Sequence, residues 1–428
     1  MSGVIDVSLY LHIPFCTEKC DYCDFYSVSV KQNRFMDNFI ERYTEALIWE
    51  TERRIKEIVS ENSLTVYIPS VYIGGGTPSL LGAAGISGLL EGLKSVIDIS
   101  ADAAVTGDSD YSAVTGDLER EITVEANPET ADYSFLKACF DHGVTRLSLG
   151  IQSFDEAVLT AAGRRGWTRD KKGRNSSFAV LEAAKDIFGR GLTIDLMSGL
   201  PGQSGEILLR DIEQALSFNP GHISLYALTM EEGTPFARRY KKNSGNENSG
   251  DLRDDLWIEG KDALVNAGFE HYEVSNFALS PSFRSIHNTR YWLMKNWIGI
   301  GPGASGTIIN KCGAGLRISY PKNTEEFVSA CLGRSMPPVF AEKLDKKTIL
   351  KETLMMGYRY CEGPDPVLFK ERFGRTIEET IPKTLLKWQK SSGNLSMQET
   401  RMTFLNNFLL DAFMELDNSK VSWDNWGG

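Results

Sequence analysis

Six short apolar runs, each followed by a helical pattern, set the strongest limit on what this chain of 428 residues can fold into. The runs lie at 7–13, 71–73, 121–125, 145–151, 192–197 and 222–227. Helical periodicity, with apolar residues at three- and four-residue steps, follows at 31–60, 86–98, 131–142, 176–189, 205–217 and 252–267. Parallel strands cannot be joined by a tight turn, so strands alternating with helices build a parallel sheet with helical crossovers. The pattern predicts an α/β fold, a partial (β/α)6 TIM-like barrel. Such barrels carry their chemistry at the carboxyl ends of the strands.

The first strand runs directly into candidate chemistry. Cys16, Cys20 and Cys23 follow it at C-x3-C-x2-C spacing in a short loop. Thiolates are the usual ligands of iron–sulfur clusters, and a [4Fe–4S] cube normally takes four of them. Three leave one iron open to another ligand. Zinc would want a fourth protein ligand, and only His12 is close. Residues 7–13 alternate with period two, so Ser8, Tyr10 and His12 share one face. Spacing alone therefore leaves zinc open.

Further polar residues fall at or near predicted strand ends. Gly74-Gly75-Gly76-Thr77-Pro78 follows the second strand and is a turn that lets backbone approach a ligand. It lacks the Gly-Lys-Ser/Thr ending of a P-loop. Glu125, Gln152 and Asp195 sit in or just after apolar strands, where a carboxylate is costly to bury without a partner. A ligand in the barrel lumen, or a structural hydrogen-bond network, would supply one. Arg164 opens a basic run with Arg165, Arg169, Lys171, Lys172 and Arg174. One such arginine suits a carboxylate ligand.

Around this core, 99–119 reads as a polar surface insertion with the near-repeat Ala104-Val-Thr-Gly-Asp108 and Ala113-Val-Thr-Gly-Asp117. Residues 241–251 read as a mobile loop, and 269–277 as strand-like. The organisation expected is a core over 1–280, a connecting segment over 281–344 with a turn-rich stretch at 299–306, and a mainly helical domain over 345–428. Helices are expected at 346–360, 366–373, 376–389 and 399–416.

The net charge of −11 argues against nucleic acid as a partner, since non-specific binding rests on phosphate neutralisation. There is no run of eighteen apolar residues, so no integral membrane segment is expected. The start of the chain carries no basic-then-apolar leader. Cys139, Cys312, Cys331 and Cys361 are scattered, unlike a disulfide framework, and suit a reducing compartment. The expected location is cytoplasmic.

The cysteine spacing, with Tyr22 before the last thiol, resembles the cluster motif of the radical S-adenosylmethionine (SAM) superfamily. In that superfamily the open iron chelates SAM and the reduced cluster splits it to a 5′-deoxyadenosyl radical. The resemblance narrows on Tyr10-Leu-His-Ile-Pro-Phe-Cys16, Gly-Gly-Gly-Thr-Pro-Ser, Val124-Glu-Ala-Asn-Pro-Glu129, Leu147-Ser-Leu-Gly-Ile-Gln-Ser-Phe154 and Ile194-Asp-Leu-Met-Ser-Gly-Leu-Pro-Gly-Gln203. Together these are similar to the oxygen-independent coproporphyrinogen III oxidase family. Its oxidases carry a further cysteine two residues past the third ligand, where this chain has Phe25. Phe25 and His287-Asn288-x-x-Tyr291-Trp292 instead resemble the HemW branch of heme chaperones.

That resemblance implies a radical SAM fold and three cofactors: a [4Fe–4S] cluster, SAM and heme. Cys16, Cys20 and Cys23 would hold the cluster. Tyr10, Gly75, Gly76, Thr77, Glu125, Gln152, Arg164 and Asp195 would contact SAM. His287, Asn288, Tyr291 and Trp292 mark the heme-related motif, with His287 a candidate axial ligand and Tyr291 and Trp292 candidates to stack on a porphyrin. A packed turn between barrel and C-terminal domain is the alternative for that motif. The implied partners are heme, an unidentified heme-acceptor protein for which a membrane-bound one is a candidate, and an electron donor for the cluster. Radical oxidative decarboxylation of coproporphyrinogen III is the competing activity. One departure is that no histidine follows Arg164 in Gly163-Arg164-Arg165-Gly166.

Overall fold

All six expected strands form, and each ends at the turn that the polar residues flank. The computed structural model describes residues 4–30, 36–62, 65–97, 120–164, 176–243, 249–391, 402 and 404–418. The strands are β1 (Ser8–Ile13), β2 (Ser70–Gly75), β3 (Glu121–Ala126), β4 (Arg146–Gln152), β5 (Leu192–Ser198) and β6 (His222–Ala227). Neighbours in sequence pair in parallel, β1 with β2 through to β5 with β6. Crossover helices lie at Met36–Asn62, Gly82–Val96, Tyr133–Asp141, Ser176–Phe188 and Gly205–Ser217.

Side chains alternate along a strand, and here the alternation separates core from lumen. Leu9, Leu11, Ile73, Val124, Leu149, Ile194 and Leu225 are buried in one core with Leu47, Leu89, Phe135, Leu181 and Ile212 of the helices. The intervening positions carry Tyr10, Tyr72, Glu125, Ser148, Asp195 and Ser224. Registration brings Glu125 opposite Ser148 and Asp195 opposite both Gly150 and Ser224.

The sheet does not stop at six strands, and among the described residues it forms no closed barrel. Beside β6 come β7 (Glu270–Glu273) and β8 (Asn276–Ala278), so the strand-like run 269–277 is a hairpin. Beside β1 comes β9 (Trp297–Ile300) in parallel, then β10 (Ser305–Ile309), β11 (Gly315–Ser319) and β12 (Phe340–Leu344), antiparallel. The stretch that reads as turn-rich thus holds parts of β9 and β10. Its glycines lower intrinsic strand preference, and pairing against β1 overrides it.

Of the expected loop at 241–251, the two ends are helical, in Pro235–Asn243 and Ser249–Asn266, and 244–248 lie outside the described residues. Residues 99–119, expected as a polar surface insertion, lie outside the described residues, as does the basic run beyond Arg164. The final helices are Lys346–Gly357, Pro366–Phe373, Ile377–Thr380, Pro382–Ser391 and Leu405–Asn418. The helix expected over 376–389 breaks at Ile381, because Pro382 lacks the N–H needed to continue it and starts the next one. Ile349, Leu354, Phe369, Phe373, Phe408 and Leu416 form a second core, joined by Met294, Trp297 and Ile309.

Candidate functional site

The loop after β1 is tied at its base. Phe15–Cys16 pairs in parallel with Val28–Ser29, and Val28 N–H donates to the Pro14 carbonyl at 2.6 Å. Within it the Cys23 N–H closes a turn on the Cys20 carbonyl at 3.2 Å. Cys16, Cys20 and Cys23 are free thiols, partly buried. Burial pushes the Cys16 thiol up and that of Cys23 to about 11. A bound cation reverses that preference by stabilising thiolate. The Thr77 hydroxyl donates to Cys16 Sγ at 3.6 Å.

The thiols share a cavity of about 600 Å³ with the ends of β2 to β6. Gly75, Gly76, Thr77, Glu125, Gln152, Arg164 and Asp195 all line it. Tyr10 does not: its hydroxyl meets His12 Nδ1 at 2.9 Å. The other ring nitrogen of His12 lies 2.9 Å from the Tyr26 carbonyl, so neither nitrogen is left for a metal. Among the described residues no three of His, Cys, Asp and Glu are gathered to hold a single metal ion.

Each acidic or amide group is held differently. Glu125 is half-buried and accepts the Tyr72 hydroxyl at 2.6 Å and the Gly75 N–H at 3.0 Å. Burial pushes its carboxyl up from the ordinary range. Gly75 has φ +118°, open to glycine, and a Cβ there would sit 2.4 Å from His12 Nδ1. Asp195 accepts the Ser148 hydroxyl at 2.8 Å, and burial raises its carboxyl too. Gln152 follows a register shift between β4 and β5 and has φ +64°, a strained conformation for a side-chain-bearing residue. Its Oε1 and Asp195 Oδ1 are buried with no hydrogen-bond partner. Orphaned acceptors are costly, and they face a cavity that a ligand rich in N–H and O–H donors completes.

Arg164 is committed to the protein. It donates to the Gly150 carbonyl at 2.6 Å and Asn127 Oδ1 at 3.1 Å, and reaches the Tyr22 hydroxyl at 3.5 Å and Cys20 Sγ at 4.0 Å. It therefore ties the cysteine loop to β3 and β4. Phe25 stands at the cavity rim, 63% exposed.

The remaining motif lies elsewhere. His287, Asn288, Tyr291 and Trp292 form a helix, Ile286–Trp292, at the amino-terminal end of β2 and β3, opposite the cysteines. The buried Glu121 carboxylate accepts the N–H groups of Ile286 and His287, each at 3.0 Å, and pairs with Arg146 Nε at 3.0 Å. His287 is 8% exposed, with Nδ1 3.1 Å from Ser70 Oγ and its ring centred 5.0 Å from that of Tyr72. Burial pulls its pKa down to about 4, so the imidazole is neutral. Asn288 N–H meets the Ser285 cap, Tyr291 packs edge-on to Trp297 at 4.7 Å, and Trp292 Nε1 is buried without a partner. None of the four lines the cavity.

Tyr72, Ser148 and Tyr226 line the cavity and were not singled out in the sequence. Their signal was period two: each shares a strand face with Gly74, Gly150 or Ser224.

The profile of the Radical SAM superfamily matches residues 10–215. The chain is 34% identical over 370 residues to "Heme chaperone HemW" of Escherichia coli, covering 85% of each. It is 32% identical over 387 residues to the protein of that name from Lactococcus lactis, covering 89% of this chain and 90% of that one. It is also 32% identical over 362 residues to the mouse "Radical S-adenosyl methionine domain-containing protein 1, mitochondrial", covering 83% of this chain and 74% of that one. Among solved structures, coproporphyrinogen III oxidase (HemN) of Escherichia coli superposes with a TM-score of 0.71 at 19% identity, over 97% of this chain and 90% of that one. The last likeness is one of fold.

Proposed function

The chain belongs to the HemW family of the radical SAM superfamily, and from that premise we propose that it is a cytoplasmic heme chaperone. In this reading it binds a [4Fe–4S] cluster, SAM and heme, and passes heme to an acceptor protein. The observation that carries it is one cavity holding three free thiols together with buried acceptors that lack partners. Cys16, Cys20 and Cys23 would ligate the cluster. When bound and reduced, the cluster supplies an electron to SAM. The Gly75–Thr77 turn, Glu125, Gln152 and Asp195 would receive the ammonium and hydroxyl donors of SAM. Arg164 would keep Tyr22 and the thiol loop in register with them. No described helix is long and apolar enough to cross a membrane, so a membrane-bound acceptor would be met from outside the bilayer.

Phe25 supports the chaperone over the decarboxylase, because an exposed apolar ring stands where propionate chemistry would need polar groups beside the cluster. The test is anaerobic reconstitution, heme titration and a coproporphyrinogen III assay on one preparation. Wild-type protein is expected to bind about four irons and heme, and to form no protoporphyrinogen IX with SAM and reductant. Cys20→Ser should lose the cluster. Turnover of coproporphyrinogen III by the wild type would replace this reading with the oxidase.

A further inference from the structure

The helix carrying His287 is remote from the thiols, yet two aromatic rings link it to the cavity. The contacts run from Ser70 to His287 at 3.1 Å, from the His287 ring to the Tyr72 ring at 5.0 Å, and from the Tyr72 hydroxyl to Glu125 at 2.6 Å. We propose that Tyr72 and His287 are positioning residues for Glu125, so that the 286–292 helix sets the shape of the SAM cavity across the inner face of the sheet. This rests on the reading that the cavity takes SAM.

Glu125 has two carboxyl oxygens, and its described hydrogen bonds are from the Tyr72 hydroxyl and the Gly75 N–H. Two donors on opposite oxygens fix the rotation of the carboxyl plane. The Gly75 donor is backbone, so the tyrosine is the adjustable half of the clamp. Space for the clamp is made by Gly74: a Cβ there would lie 2.7 Å from Tyr72 Cε1 and 2.8 Å from Glu125 Cδ. The first glycine of the turn thus serves the Tyr72–Glu125 pair. It leaves ligand approach to the next two.

The Tyr72 ring is flanked by Tyr10, with centroids 6.1 Å apart, and by His287 on the other contact. His287 is itself anchored on both sides. Its N–H is fixed by Glu121, and Ser70 meets its ring and donates to Ser8 Oγ at 2.9 Å. Arg290, one turn along the same helix, also donates to Ser8 Oγ, at 2.8 Å. Movement of this helix therefore moves a ring that touches Tyr72. Buried in these contacts, His287 presents no face to a macrocycle, and the motif's influence passes to SAM.

Equilibrium dialysis of SAM against the cluster-loaded full chain tests the proposal, with iron content and the heme absorption band as companion readouts. Tyr72→Phe keeps the ring and removes only the hydroxyl, so it is expected to fold and to weaken SAM binding roughly tenfold or more, as a hydrogen bond to a charged group warrants. Gly74→Ala should weaken it by wedging the pair apart. His287→Ala should weaken it too, and the double variant with Tyr72→Phe should lose less than the product of the single losses, because both act through one hydroxyl. Iron content and the heme band should match wild type in all of them. Wild-type protein with full cluster and no SAM affinity overturns the assignment of the cavity itself. Wild-type SAM affinity in Tyr72→Phe overturns the positioning role alone. A changed heme band in His287→Ala, with SAM affinity intact, returns His287 to the heme.

Discussion

At the scale of single residues, the lumen is built from side chains whose protonation follows from burial. Glu125 and Asp195 are raised by it, and each keeps hydroxyl donors. Glu273, the last residue of β7, is more extreme. It is 1% exposed, and burial pushes its carboxyl up to about 8. In the unfolded chain the same group titrates near 4.5. The folded state thus holds the proton more tightly, so the group's contribution is full below the unfolded value and is lost as pH rises through the folded one. Glu273→Gln keeps the shape and removes the titration. Thermal melts of wild type should fall between pH 5 and pH 8, and the variant should fall less and melt higher at the alkaline end. Parallel pH profiles for the two proteins would refute the role of Glu273.

At the scale of elements, the short helix Ile286–Trp292 shows how a strand start can hold a helix start. Its first N–H groups need acceptors, and Glu121 supplies them from the first residue of β3. Burial alone would raise the Glu121 carboxyl, but Arg146 and the two N–H donors outweigh it and hold the group below its ordinary range. Its stabilising share is therefore present above pH 4.5 and lost as pH falls through the depressed value. Glu121→Gln leaves Arg146 buried with its partner's charge gone. Urea unfolding at neutral pH should show a loss of about 3–5 kcal/mol, the usual result of breaking a buried pair. An unchanged midpoint would mean that the helix is held by packing alone.

At the scale of the whole molecule, two cores stand side by side. The first joins β1–β6 to their crossover helices, and the second joins the final helices to Met294, Trp297 and Ile309. In the second, Phe408 is fully buried between Tyr358 at 4.5 Å and Trp388 at 5.6 Å, both edge-on. Phe408→Ala should cost about 3–5 kcal/mol through lost contact and a cavity. Since every cavity-lining residue belongs to 16–231, cluster content in that variant should stay at the wild-type level under native conditions. Loss of cluster in a still-folded Phe408→Ala protein would show that the two cores act as one.

The six strands, their crossover helices and ten of the cavity's residues were legible in the sequence, because period-two and three-to-four patterns and strand-end polar residues are local signals. The cysteine loop was legible for the same reason: C-x3-C-x2-C is a short-range pattern. The strands β9–β12 were not, since glycine-rich Gly299–Gly306 has little strand preference and acquires it only by pairing beside β1. Nor was the place of His287. Nothing local says that a motif near residue 290 packs against the amino-terminal ends of β2 and β3, because its contacts with Ser70 and Glu121 span 217 and 166 residues. Tyr72 belongs to the same class: its face was readable, but its partner was chosen by the register of β2 against β3. Pattern along the chain determines what each element is, and the distances across the lumen are decided only when the sheet assembles.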